Sequence, residues 1–146
     1  MGNFKDKIVS FIVDVEEENL NIIREAIQDM VADMQTPRGA KGGKMPVDTG
    51  FLRWSGVAML NAWPVGPVRG RKRNSKDTPN APLPEYTSNY TDELQIVLAK
   101  MELGDTFYWG WTAQYAYKQE MKCGFVDGAA MKWDRYIQNA AKKVSK

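Results

Sequence analysis

The sequence predicts an α+β domain: a long N-terminal helix and a C-terminal helix packed on a small antiparallel β-sheet, with a long basic loop or hairpin arm. Three observations predict it. Apolar residues recur at helical spacing from Phe4 to Met34 and again from Val126 to Val144. Short segments rich in β-branched and aromatic residues lie between them. A Pro-, Gly- and Arg-rich stretch interrupts the middle. The 146 residues, 43% apolar and 26% charged, suit one soluble domain over 1–146, with 66–90 as a flexible loop or arm within it.

The first helix is expected over Phe4–Met34, where Ile8, Ile12, Val15, Ile22, Ile23, Ile27, Met30 and Met34 form the stripe. It is too long for a small domain to cover. Either it bends near Glu18 and Asn19, or one end projects with Phe4, Ile8 and Phe11 facing another subunit. Thr36 to Lys44, with Pro37 and three glycines, ends the helix and reads as a mobile basic loop that orders in an assembly. Its Gly-Gly-Lys is no phosphate-binding loop, because the spacing is wrong and no strand precedes it.

Pro46-Val47-Asp48-Thr49-Gly50 leads into a short helical turn, Phe51-Leu52-Arg53-Trp54-Ser55. Asp48 or Thr49 caps that turn, Gly50 permits the tight entry, Phe51, Leu52 and Trp54 pin it to the core, and Arg53 is placed to pair with a carboxylate. Val57–Val65 reads as a strand. From Gly66 to Tyr90 the chain carries four prolines and the block Arg69-Gly70-Arg71-Lys72-Arg73-Asn74-Ser75-Lys76, so a long loop or hairpin arm with a basic tip is expected. Leu94–Lys100 and Thr106–Trp111 read as strands of one hairpin turning at Leu103-Gly104-Asp105. A short helix is expected over Ala113–Met121, broken at Lys122-Cys123-Gly124. A final helix starts near Asp127 and carries Ala130, Trp133, Ile137, Ala140 and Val144. Trp109 and Trp111 share one strand face, so Tyr108 occupies the other and is free to meet a neighbour.

The same residues argue against several chemistries. There is no histidine and one cysteine, which removes the usual zinc sets, the histidine-based nucleophile pairs and any intrachain disulfide. Cys123 reads as a passive small residue. Asp92-Glu93 and Glu102 with Asp105 are the available acid pairs, but they fall at expected strand ends and turns, where acids serve solubility. No catalytic residue, metal or cofactor is expected. No run approaches the roughly 18 apolar residues of a membrane span, and the opening residues carry no apolar segment behind a basic head, so a cytoplasmic site of synthesis is expected. The net charge of +2 is unremarkable. Its distribution is not: Asp14, Glu16, Glu17 and Glu18 are acidic neighbours, and Lys142, Lys143 and Lys146 close the chain. Five cations in the eight residues of the 69–76 block suit phosphates, with salt-sensitive affinity and little sequence preference.

Two phrases carry a resemblance. Pro46-Val47-Asp48-Thr49-Gly50-Phe51-Leu52-Arg53 resembles the proline-valine-aspartate-threonine-glycine-x-leucine-arginine phrase that follows a long first helix in the tailed-bacteriophage head–tail joining, or tail-completion, family. Ala113-Gln114-Tyr115-Ala116, then Glu120, then Gly124-Phe125-Val126, is similar to that family's later phrase. The resemblance runs in order from about Phe4 to Val144. The segment Glu120–Gly124 is shorter than the family's usual loop, and 66–90 is longer. The resemblance implies a non-enzymatic virion or prophage protein, assembled in a bacterial cytoplasm. It would form a homo-oligomeric ring at the neck between portal or adaptor and stopper, terminator or tail-tube proteins. Under that implication Trp109, Tyr115 and Tyr117, with the first helix and Tyr108, are expected at packing or protomer contacts. Arg69, Arg71, Lys72, Arg73 and Lys76 are expected at an inter-ring contact or on channel DNA, and Pro46, Asp48, Thr49, Gly50, Leu52 and Arg53 are scaffold landmarks. The alternative function is nucleic-acid binding outside a virion through the same 69–76 block.

Overall fold

A computed structural model describes residues 4–39, 43–46, 51–64, 90–111 and 116–144. The chain is α+β, as expected: mostly helical, with one two-stranded antiparallel sheet. In order the elements are α1 (Phe4–Met34), α2 (Phe51–Trp54), β1 (Gly56–Leu60), α3 (Tyr90–Lys100), β2 (Phe107–Trp111), α4 (Ala116–Cys123), α5 (Phe125–Ala130) and α6 (Trp133–Val144).

Helix α1 is the spine. It runs without interruption through Glu18 and Asn19, so the projecting form expected from the sequence is the one adopted. Only its second half is covered. Ile27, Val31 and Met34 pack with Ala58 of β1, Leu94 and Leu98 of α3, Met101 and Ala129 in the main core. Ala26 packs with Tyr136 and Ala140 of α6 on a second face. Helix α6 runs antiparallel to α1: Lys132 reaches Asp33 at 3.2 Å, while Lys143 reaches Glu25 at 3.8 Å.

The sheet pairs β1 with β2 in the register Gly56↔Trp111 to Leu60↔Phe107. This corrects the expected hairpin. Leu94–Lys100 is not a strand but lies in helix α3. The Ile96-Val97 pair suggested β structure, yet Leu94, Leu98 and Met101 fall at i, i+4 and i+7 and are all buried. Asp92 and Glu93 sit in the first turn and Lys100 in the last, a charge order that favours the helix dipole. With α3 helical, β2 takes β1 as its partner. Strand β1 is also shorter than Val57–Val65. Asn61 adopts φ +60°, which an asparagine tolerates, and its side chain then binds the turn before β2.

Two further boundaries differ. The expected short helix is α4, over Ala116–Cys123, and 112–115 lie outside the described residues. The expected final helix is two helices, α5 and α6. At their junction Met131 N–H keeps the helical bond to Asp127 O, while Lys132 N–H donates to Ala129 O, three residues back, a tighter turn that ends α5. The break lets Phe125 and α6's Tyr136 enter different core clusters. Gly124, at φ +64°, makes the turn between α4 and α5. The segment after α1 is held at both ends: Arg38 N–H donates to Met45 O at 2.8 Å and Met45 N–H to Thr36 O at 3.1 Å, a parallel bridge. The loop expected to order in an assembly is therefore fastened where it is described.

Candidate interaction surface

The two phrases singled out in the sequence converge in space. Leu52, from the first, is buried against Met45 and Phe125, with Trp111, Ala116, Cys123 and Val126 around them. Phe125 follows Glu120, whose carboxylate accepts the Val126 N–H at 2.7 Å and the Asp127 N–H at 3.0 Å. These are free donors at the start of α5, so Glu120 caps a helix across the Gly124 turn. Arg53 donates through Nε to the Gln35 carbonyl at 2.9 Å, which ties α2 to the end of α1. Pro46 lies half-buried beside Met45. Asp48, Thr49 and Gly50 lie outside the described residues, and so do their capping and turn roles.

Gln35 organises this region, and sequence reasoning missed it. It is fully buried just past the end of α1. Its Nε2 donates to Arg53 O at 2.8 Å, and its Oε1 accepts from Trp111 Nε1 at 2.9 Å. A glutamine after a helix gives no warning of such a role, because its partners come from elements far along the chain.

The aromatic residues divide by sheet face, as strand alternation requires. Trp109 and Trp111 meet edge to face at 6.1 Å, and Trp111 meets Phe125 at 4.9 Å. Trp109 packs against the main core. A Cβ at Gly56 would collide with its ring, so close approach of β1 needs glycine there. On the opposite face Tyr108 lies 4.8 Å from Trp63, which is 74% exposed. Tyr117 is also 74% exposed. Tyr115 lies outside the described residues, as do Arg69, Arg71, Lys72, Arg73 and Lys76.

Of the acid candidates, Asp105 is bound into the turn before β2. Asp105 accepts the Glu102 N–H at 2.8 Å and the Asn61 side-chain amide at 3.0 Å. These two hydrogen bonds, the backbone one foremost, hold its carboxyl below the usual carboxylate range. That stabilises the ionised form, the reverse of what a general acid requires. Cys123 Sγ accepts from Arg38 at 2.7 Å. Among the described residues no cluster of three or more metal-ligating side chains occurs, and no helix is long and apolar enough to cross a membrane.

The surface that stands out is the first half of α1. Residues 4–19 are exposed throughout. Phe4 (79% exposed), Ile8, Val9, Phe11 (67%), Ile12, Val13 and Val15 all face solvent. The domain stops short of them. Arg24 marks its edge, donating from Nε to Leu98 O and from Nη2 to Met101 O, each at 2.7 Å, at the end of α3. Beyond Leu20 the helix extends roughly 24 Å at 1.5 Å per residue. Where it leaves the domain, Val13, Glu16, Glu17, Leu20, Glu102 and Leu103 line an open groove of about 300 Å³. Three carboxylates there repel phosphate and suit a cationic or apolar protein segment. An exposed apolar stretch of this extent is uncommon on the surface of an isolated domain.

Comparison with protein-family models, characterised proteins and solved structures returns no match. The fold and the surface together define a small α+β domain with a partly uncovered helical spine.

Proposed function

We propose that the chain is a non-enzymatic structural protein of a phage or prophage neck, joining the head or portal side to the tail through ring assembly. The observation that carries this reading is the uncovered apolar half of α1, which belongs to a protein that completes its core against neighbours. The two phrases resembling the head–tail joining family add to it, since Leu52 and Phe125, one from each, share a single core cluster. In a ring each protomer sets one surface against a different surface of the next. The α1 arm is the surface offered here, with Tyr108 and Tyr117 as further contacts. The basic 69–76 block would meet an adjoining ring or channel DNA.

The test is to image particles from a phage lacking the gene, with and without the protein added back. Separate filled heads and finished tails that join on addition are expected. Overlong or unfinished tails would move the protein to the tail end. Normal particles would exclude the neck role. Salt-sensitive DNA binding by the isolated protein, together with normal particles, would favour the nucleic-acid reading.

A further inference from the structure

The exposed half of α1 carries more than apolar area. Phe4, Ile8, Phe11 and Val15 are spaced by four, three and four residues, the spacing of a coiled-coil seam. All four are exposed. The stripe continues along the same helix face to Ile22 and Ala26, where α6 covers it, running antiparallel to α1. The seam is therefore closed by an antiparallel helix within the domain and open beyond it.

We infer that the projecting half of α1 pairs antiparallel with the same segment of a second copy, about a two-fold axis between Ser10 and Val9. In this register Phe4 meets Val15 of the other copy and Ile8 meets Phe11, giving four apolar layers along roughly 18 Å of helix. The flanking charges agree with it. Lys7 falls beside Asp14 of the other copy, twice by symmetry, and the stem of Lys5 lies over Ile12. Parallel pairing fits worse: the next seam position is Glu18, which would be set against its own copy. Antiparallel pairing leaves Glu18 beyond the other copy's Phe4. The two domains begin near Leu20 at opposite ends of the pair, so they do not collide. Because the helix is continuous with the folded domain, little ordering cost remains on pairing.

The pairing does not rest on the neck reading. In a ring the arm would meet a different surface of its neighbour, so the pair is the form of the free protein and competes with ring assembly for one face.

Sedimentation equilibrium of the full chain tests it. The mass is expected to rise with concentration from 16.5 kDa to twice that and no further. Phe11→Glu should abolish the rise without altering the helical circular dichroism, since Phe11 is exposed. Lys7→Glu should weaken association at least tenfold, and Lys7→Glu with Asp14→Lys should restore it. With Cys123→Ser as background, Phe4→Cys and Val15→Cys chains should cross-link when mixed and neither should cross-link alone. A monomer at every concentration overturns the pairing. Mass beyond two copies points to head-to-tail assembly and overturns it as well. Cross-linking of either variant with itself, or no rescue by the charge exchange, overturns the register and with it the inference.

Discussion

Trp111 donates its indole N–H to the side-chain oxygen of Gln35 at 2.9 Å, tying the last residue of the sheet to the end of the spine. The other end of the same amide donates to Arg53 O, so one buried side chain joins α1, α2 and β2. Gln35→Leu keeps most of the volume and leaves both partners unsatisfied. The expected loss is about 2–4 kcal/mol of unfolding free energy, read by urea denaturation. Tryptophan fluorescence should change with it, because Trp111 loses its hydrogen bond.

Arg24 binds the end of α3 through three carbonyls, Leu98 and Met101 at 2.7 Å and Ala99 at 3.3 Å. A planar fork makes contacts that a single ammonium cannot reproduce. Arg24→Met is expected to cost about 1.5–3 kcal/mol, and Arg24→Lys to recover less than half of it. Amide exchange should speed up first in the last turn of α3.

Glu120 closes two free N–H groups of α5. Glu120→Ala should lower stability by about 0.5–2 kcal/mol. Glu120→Gln should lose less, keeping an acceptor without the charge. Thermal unfolding of the three proteins side by side gives the order.

Tyr136 donates its hydroxyl to Asp33, which also receives Lys132 Nζ. Burial, and then the Asp33 carboxylate, push the phenol well above its ordinary value of about 10. Below that value the group is protonated in both states and adds no pH dependence. Above it the unfolded chain loses the proton while the folded chain keeps it, so stability falls as pH rises. Tyr136→Phe should remove this part of the alkaline decline. Denaturation midpoints from about pH 8 to 11.5 should therefore fall less steeply in the variant. Equal slopes would show that the phenol contributes none.

Much of the fold could be read from the chain before any contact was known. Helix α1 was legible over its full length because its stripe persists through Asn19, and the exposure of Phe4, Ile8 and Phe11 followed from the length of the stripe. The split of Trp109 and Trp111 from Tyr108 followed from alternation along a strand. Segment 94–100 was misread because β-branched Ile96 and Val97 compete with a helical spacing that shows only when Leu94, Leu98 and Met101 are taken together. The break at Met131 was not legible, since Ala130 and Trp133 continue the same spacing. The landmark phrase around Asp48 and the basic block around Arg71 were legible as motifs, and both lie outside the described residues.

Spacing along one element is a local property, so the chain alone specified the spine, the faces of β2 and the apolar seam at the start of α1. Pairing is not local. That β2 joins β1, that Gln35 answers Trp111 and Arg53, and that the last turn of α6 meets Glu25 were settled by packing. Each brings together residues distant in sequence, and the burial that selects them exists only once the whole domain has closed.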